Sequence, residues 1–158
     1  MDNDYIMLYQ GGQFDLPNMD LRTYRDEYFP LEIELESDIF YELRVRYDIQ
    51  PYRLRDSSNQ ELDEIRDFFY SHKDTFYFLF EQSELIGSCL VIRNKIQCMS
   101  VARKFHHKGY GTLLTKYAIN TALKKGYPNV ELRVLRANDP AISMYKKAGF
   151  RILNEEVR

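Results

Sequence analysis

The chain has 158 residues, of which 44% are hydrophobic and 29% charged, a balance typical of one globular domain with its own core. No apolar run approaches the length of a membrane span, and the acidic start MDNDYIMLYQ is unlike a basic signal peptide, so we expect a cytoplasmic protein without a membrane partner. The two cysteines, Cys89 and Cys98, are too few for a disulfide framework and lack metal-ligand spacing; we interpret them as buried strand residues and predict no metal site.

The net charge of −2 conceals an uneven distribution along the chain. Residues 1–50 hold 12 acidic and 4 basic side chains, whereas the remainder holds 12 acidic and 18 basic ones. This distribution is compatible with two ligand zones, one for a cation and one for an anion. It is equally compatible with a fold that intermixes the two parts and leaves no separate fields.

The first third of the chain reads as one strand followed by helices. The segment YIMLY (5–9) is a short apolar strand candidate that stops at two glycines. From about residue 19 to residue 48 the pattern is helical and is interrupted at Pro30, which predicts two helices or one broken helix.

A third helix, which Ser57 or Ser58 can cap, is predicted to run to about Ser71. The period then changes to that of strands in three segments: TFYFLFEQ (75–82), ELIGSCLVIR (84–93) and KIQCMSVAR (95–103). Short polar breaks separate these segments, which predicts a meander of three antiparallel strands.

The last third alternates helices and strands. The predicted elements are a helix over about 109–125, a strand NVELRVLR (129–136), a helix DPAISMYKKAG (139–149) and a final strand FRILNEEVR. The order β-αα-βββ-α-β-α-β is α+β, with helices packed on a mostly antiparallel sheet. Nothing resembles a linker or a repeat, so we predict a single domain over residues 1–158.

The segment HHKGYGTLL (106–114) places two glycines, Gly109 and Gly111, where a helix is predicted to begin. The first amides of a helix have no partner within it and carry partial positive charge, so an anion can bind directly to them. The neighbouring side chains add positive charge and donors: Arg103, Lys104, His106, His107 and Lys108. We predict a pyrophosphate site, and a plain tight turn into the helix is the alternative. The third glycine of a dinucleotide fingerprint and the G-K-[ST] of a Walker site are both missing.

A second motif follows, N-x-x-A-x-x-x-Y-x-x-x-G-F, formed by Asn138, Ala141, Tyr145, Gly149 and Phe150. A spacing of V-x(7)-G-x-G precedes it, from Val101 to Gly111. Together the two motifs resemble the Gcn5-related N-acetyltransferase (GNAT) superfamily over about residues 75–156. The first 70 residues match only in the order of their elements.

The resemblance implies a central sheet whose splayed strands form an acetyl-CoA cleft. Residues 1–72 would supply an N-terminal strand and acceptor-side helices, and residues 75–156 the cofactor-binding core. The cofactor residues implied are Met99, Ser100, Val101, His106, His107, Lys108, Gly109, Tyr110, Gly111, Thr112, Asn138, Ala141 and Tyr145. In the family, the pyrophosphate binds the loop that matches 106–111, and the pantetheine arm pairs with the strand that matches 99–101.

The implied reaction is direct transfer of an acetyl group from acetyl-CoA to a primary amine, releasing CoA, with Tyr145 as general acid for the departing thiolate. A reference Tyr pKa of about 10 lies near that of an alkyl thiol, which suits this role. Three positions depart from the family pattern: His106 replaces Gln or Arg, Arg103 replaces a proline, and Lys95 replaces the glutamate that serves histone-type members as general base. His106 can still donate to a phosphate, but the base is not identified. Acidic residues of the helices over 26–48, such as Glu42 or Asp48, are candidates, because an amine of pKa about 10.4 must lose a proton before it attacks.

The acidic first third favours a cationic acceptor, either a small molecule or a peptide amine, and disfavours a nucleic acid. A non-catalytic acetyl-CoA sensor or subunit is the alternative function, although Tyr145 favours an enzyme. Unrelated binding of a nucleotide by the glycine loop is a third possibility. Both a monomer and a homodimer remain open.

Overall fold

A seven-stranded sheet organises residues 3–157, the part of the chain that the computed structural model describes. Its strands are β1 (Asn3–Tyr9), β2 (Asp20–Thr23), β3 (Phe76–Glu81), β4 (Glu84–Ile92), β5 (Lys95–Val101), β6 (Val130–Leu135) and β7 (Arg151–Val157). Across the sheet their order is β2-β3-β4-β5-β6-β1-β7, and only the β5–β6 pair is parallel. The predicted α+β class with a mostly antiparallel sheet is confirmed. Residues 1, 2 and 158, the ends of the predicted domain, lie outside the described part.

Helices cover both faces of this sheet. They are α1 (Phe29–Ile39), α2 (Tyr41–Arg46), α3 (Asn59–Ser71), α4 (Tyr110–Lys124) and α5 (Asp139–Lys147). The predicted cap of α3 is confirmed as Ser58, whose hydroxyl accepts from the Glu61 amide while the Glu61 carboxylate accepts from the Ser58 amide. Within residues 3–157, no helix combines the length and apolar character needed to cross a membrane.

The predicted helix from about residue 19 is wrong at its start. Residues 20–23 form β2, which pairs with β3 from Asp20–Phe80 to Thr23–Tyr77. Helix α1 begins at Phe29 with Pro30 in its first turn, where no intrahelical partner for a proline N–H is needed. The helical stretch is broken instead at Phe40, between α1 and α2. The observed order therefore has one strand and one helix more than β-αα-βββ-α-β-α-β.

Strand β1 lies between β6 and β7 and pairs antiparallel with both. A buried Asp4 carboxylate accepts from Arg133 Nε at 2.6 Å, and the same guanidinium donates to Glu156 of β7 at 3.0 Å. The ion pairs thus join all three strands. The N-terminal strand therefore belongs to the half of the sheet that lies beyond β5.

Side chains alternate between two cores on the opposite faces of the sheet. Phe76, Phe78 and Phe80 of β3 face α1 and α3, in a cluster with Phe29 and Phe69. The other face packs against α4 and α5 through residues such as Ile86, Leu114, Ala118, Ile142 and Tyr145. The sheet therefore carries a separate apolar core on each of its faces.

Strands β5 and β6 diverge, as the resemblance implied. They pair only at Lys95–Glu131 and Ile96–Leu132. The register between β5 and β4 shifts immediately afterwards, from Val91–Ile96 to Leu90–Cys98, so that Gln97 is an extra residue. Such a bulge bends its strand and increases the local twist. The remainder of β5 consequently leaves β6 at this point.

The strand pair β4–β5 makes a testable packing prediction at Gly87, which lies opposite Val101. A Cβ atom here would lie 2.5 Å from the Ser100 carbonyl oxygen and 3.0 Å from Leu114 Cδ1. We expect Gly87→Ala to lower the free energy of unfolding by about 1–3 kcal/mol, measured by urea denaturation. Gly12→Ala is the control, because a Cβ there meets nothing within 4 Å, and a change within about 0.5 kcal/mol is expected. Equal losses in the two variants would refute this packing.

Candidate functional site

The N-terminus of α4 lies beside the divergence of β5 and β6. The helix begins after Gly109. A hydrogen bond of 3.1 Å from the Leu113 amide to the Gly109 carbonyl oxygen closes its first turn. No side chain among residues 3–157 caps this end. The amides of Tyr110, Gly111 and Thr112 therefore point out of a 15-residue helix with partial positive charge.

The two glycines of this turn exist for different reasons. Gly109 has a φ of +87°, a conformation that side chains rarely adopt, and a Cβ there would meet nothing within 4 Å. At Gly111 a Cβ would overlap the sulfur of Met144 on α5. Gly111 is therefore explained by the close packing of α4 on α5, and Gly109 leaves open space in front of the helix.

The loop before α4 is fastened to the sheet by one of the predicted phosphate donors. His106 Nε2 lies 2.6 Å from the Val101 carbonyl oxygen at the end of β5. Because a carbonyl only accepts, this nitrogen carries the proton, and only Nδ1 is left for a ligand. His107, with a φ of +62°, and Lys108 are exposed in front of the helix.

Arg103 and Lys104, also predicted to add charge here, are engaged in ion pairs with acidic residues of α1 and β4. Arg103 Nε donates to Asp38 at 3.2 Å, and Lys104 forms an ion pair with Glu84. These exposed pairs contribute little stability. They reduce the positive charge available to an anion, which leaves the helix amides, His107 and Lys108 as its main donors.

Asn138 is the N-cap of α5. Its side-chain oxygen accepts from the Ala141 amide at 3.4 Å, so that two of the motif residues contact one another. The cap starts α5 directly after β6 and directs the helix back towards α4. The motif therefore has a structural role, whatever ligand it also contacts.

Tyr145 lies on the inner face of α5 and is 8% exposed. Its ring contacts Phe150 edge to face, with the centroids 5.8 Å apart. Burial, followed by the neighbouring thiols of Cys89 and Cys98, raises the pKa of Tyr145 well above its ordinary value. The phenol is therefore a proton-bearing hydrogen-bond donor throughout the working pH range.

The two thiols beside Tyr145 are neutral. Burial, and then the charge of Glu32, raises the pKa of Cys89 to about 12. The pKa of Cys98 is also raised, first by burial and then by Glu36 and Glu32. Cys89 is buried as predicted, whereas Cys98 is partly exposed.

The two side chains named from the sequence as examples of a base lie on α2 and directly after it. Glu42 and Asp48 are exposed, and Asp48 accepts from the Tyr52 hydroxyl at 2.7 Å. Lys95, which replaces the family glutamate, is exposed at the start of β5.

An acidic pair that the sequence did not single out among the residues of these helices, Glu32 and Glu36, lies on the inner face of α1. Glu32 is fully buried, and its Oε1 accepts from the Ser88 hydroxyl of β4 at 2.6 Å. Burial raises the pKa of both carboxyls, and the nearby Glu36 charge raises that of Glu32 further. A signal was present, because Glu32 and Glu36 share the helical spacing of the buried Phe29 and Ile33.

The raised pKa of Glu32 makes a prediction about stability. A carboxyl whose pKa is higher in the folded than in the unfolded state binds more protons when folded, so stability falls as the pH rises towards the folded pKa. Glu32→Gln removes this dependence. We expect the variant to gain stability relative to the parent as the pH is raised from 5 to 8, as measured by urea denaturation. Glu34→Gln is the control, because Glu34 is an exposed residue of the same helix that pairs with Arg55. Its free energy of unfolding should depend on pH as that of the parent does. Parallel curves of unfolding free energy against pH for all three proteins would argue against the raised pKa of Glu32.

Several solved structures with this architecture are acetyltransferases. A GCN5-related N-acetyltransferase from Sphaerobacter thermophilus matches with a TM-score of 0.67 at 17% identity, over 99% of this chain and 50% of that one. A GNAT-family acetyltransferase from Colwellia psychrerythraea matches with a TM-score of 0.70 at 12% identity, over 100% and 57%. The chain thus spans little more than half of these two proteins. The PaiA N-acetyltransferase from Thermoplasma acidophilum, in complex with coenzyme A, matches with a TM-score of 0.57 at 22% identity, over 85% and 91%.

These likenesses establish the fold. No curated protein sequence matches the chain. The model of the acetyltransferase (GNAT) family matches residues 31–150, a range that includes the α4 N-terminus, the divergent strands and Tyr145. The chain therefore belongs to the GNAT acetyltransferase family.

Proposed function

We propose that the protein transfers the acetyl group of acetyl-CoA to a primary amine, with Tyr145 as general acid. The observation that carries this proposal is the uncapped N-terminus of α4 beside the unpaired edge of β5, with a buried phenol at the same cleft. Gly111 of α4 packs closely on Met144, the residue before Tyr145, so the first turn of α4 lies against the helix that carries the phenol.

The residues of the cleft fit the parts of acetyl-CoA. A pyrophosphate suits the amides of Tyr110, Gly111 and Thr112, which are oriented by one helix, and the open space in front of Gly109 accommodates it. His107 and Lys108 add donors, whereas His106 donates its Nε2–H to the Val101 carbonyl and so holds the loop rather than the phosphate. The amide groups of a pantetheine arm suit the backbone of Met99–Val101, which has left β6 and can form further strand-like hydrogen bonds. We place Asn138 and Ala141 at the edge of this site.

Acetyl-CoA, when bound, supplies an acetyl group activated as a thioester. Burial keeps Tyr145 protonated, so the phenol would be available to the departing sulfur as a donor. Its raised pKa disfavours complete proton transfer to a thiolate whose conjugate thiol has an ordinary pKa of about 8.5. A hydrogen bond from the phenol would nevertheless stabilise the negative charge that develops on the sulfur.

We propose a cationic small molecule or peptide amine as the acceptor, and neither a nucleic acid nor a membrane as a partner. The reason is the acidic inner face of α1, where Glu32 and Glu36 border the strands of the cleft on the side opposite α4. An ammonium group is attracted to such a face, whereas a phosphate backbone is repelled.

The test of this proposal is the Tyr145→Phe variant. We expect kcat to fall by about 100-fold or more, because the proton donor is lost while the ring still fills its site against Phe150. Acetyl-CoA affinity, measured by calorimetry, should stay unchanged. The readout of turnover is the release of free CoA thiol with a panel of primary amines.

Tyr117→Phe is the matched control, since Tyr117 is a partly buried tyrosine of α4 that packs on Tyr77, and it should keep parental activity. Parental turnover of Tyr145→Phe would remove the general-acid role. Binding of acetyl-CoA by the parent without acetylation of any amine would favour the non-catalytic sensor or subunit.

A further inference from the structure

A buried polar cluster lies beneath α1 on the face of the sheet opposite α4 and α5. Ser88 of β4 is directly opposite Ser100 of β5, so both side chains point to the same face. Ser88 donates to Glu32 of α1, which identifies that face. Ser100 is only 2% exposed, and it therefore points into the same enclosed space.

Within residues 3–157, Ser100 Oγ has no hydrogen-bond partner, and Glu32 Oε2 and Glu36 Oε2 have none beyond the bond between the two carboxyls. Buried polar atoms are normally paired, and leaving one unpaired costs about 1–3 kcal/mol. Acidic side chains alone would not define a site. Here a separately buried serine, whose hydroxyl is unused, lies on the same face as the buried carboxyl pair, which indicates that this face is built to take a further hydrogen-bonding group.

The two carboxyls are hydrogen-bonded to each other, and a bond between two carboxyl groups requires a proton on one of them. Both are enclosed by α1 and the sheet, and two neighbouring buried negative charges repel each other strongly. The titratable and charged groups around them are Arg44 of α2, Tyr24, and the neutral thiols of Cys89 and Cys98. Only Arg44 offsets the charge, and it acts on Glu36. The pair is therefore a single base with one negative charge.

One end of the cluster reaches the cleft. Ser100 belongs to the part of β5 beyond the Gln97 bulge, where the strand has separated from β6. Ser100 also lies directly opposite Ser88, the residue that donates to Glu32. The Ser100 hydroxyl therefore lies between the separated part of β5 and the carboxyl pair.

The other end of the cluster reaches solvent. Glu36 lines an open cavity of about 420 Å³ between α1 and α3. Glu61 and Glu64 of α3 line the same cavity. A proton on Glu36 can thus pass to water through an acidic opening, although Glu32 itself has no exposed surface.

We propose that Glu32 and Glu36 together accept the proton of the acceptor ammonium and release it to solvent through Glu36. This inference rests on the proposed acetyl transfer to an amine. An N–H bond of the ammonium breaks, the proton joins the carboxyl pair and neutralises it, and the electron pair left on nitrogen becomes the nucleophile. Glu36 then passes a proton to water in the cavity, which restores the single negative charge. After the attack the nitrogen loses its second proton, which replaces the proton that Tyr145 has given to the sulfur. One proton in all is therefore released to solvent.

The experiment measures kcat/KM against pH for the parent, Glu32→Gln and Glu36→Gln, with tyramine and spermidine as the amine probes. Each variant keeps the shape of the side chain and removes its charge. We expect losses of about 100-fold near neutral pH. The loss should shrink as the pH rises, because the fraction of neutral amine in solution grows about tenfold per pH unit below its pKa. Glu34→Gln is the control on the solvent side of α1 and should match the parent.

The pH dependence separates this role from a structural one, since a misshapen site loses activity equally at every pH. Glu36→Gln, at a partly exposed residue, provides a second variant if Glu32→Gln folds poorly. Parental activity in both variants, or a loss that is the same across the pH range, overturns the inference and leaves the acetyl-transfer proposal standing. If the parent binds acetyl-CoA by calorimetry but acetylates neither these probes nor any other primary amine tried, the proposed function fails and the inference fails with it.

Discussion

The bulge at Gln97 is the feature on which the rest of the structure depends. It follows directly after the second and last residue pair that joins β5 to β6. Parallel strands joined only at their beginnings open towards their ends, and α4 and α5 begin at those ends. The bulge therefore creates a cleft that is open to both faces of the sheet, one occupied by α4 and α5 and the other by α1.

Three local departures from ordinary protein stability converge on this cleft. The helix α4 begins without a side-chain cap, the later part of β5 lacks a strand on one side, and a pair of carboxyls is enclosed under α1. Each of these features lowers the stability of the free protein, because backbone groups are normally hydrogen-bonded and buried charges are normally paired within the fold. Sites that break such rules together are typically functional. Each feature also matches one part of the proposed reaction. The α4 N-terminus matches an anion, the free edge of β5 matches a peptide-like arm, and the carboxyl pair matches a proton of the amine.

Much of the chain after residue 75 could be predicted from its sequence, because local signals there agree with the fold. The meander has clear polar breaks, and α4 lies between Gly109 and Gly126, both with positive φ. Strand β2 was missed because its four residues become a strand only by pairing with β3, a contact that no local pattern encodes. The position of β1 between β6 and β7 is equally non-local.

The site was predictable in part, and the failures have specific causes. Gly111 was interpreted as room for a ligand, but its neighbour Met144 comes from a helix more than 30 positions away in the sequence. Glu32 was passed over because acidic residues in helices usually face solvent. Only the register of α1 on β4, where Ser88 lies, shows that it is buried. Sequence motifs thus identify backbone and cofactor features, whereas buried charge depends on packing.

The central claim is that the N-terminus of α4 holds the anionic part of acetyl-CoA, and thermal unfolding with saturating acetyl-CoA tests it most directly. Gly109→Glu and Gly126→Glu form a matched pair, since both glycines have positive φ, meet nothing within 4 Å and lie at opposite ends of α4. At about 100 times the dissociation constant, binding adds about 2.7 kcal/mol, a rise in Tm of roughly 5–10 °C for a domain of this size. The account predicts this rise for the parent and Gly126→Glu and its loss in Gly109→Glu. No rise in the parent, or the same rise in both variants, would contradict it.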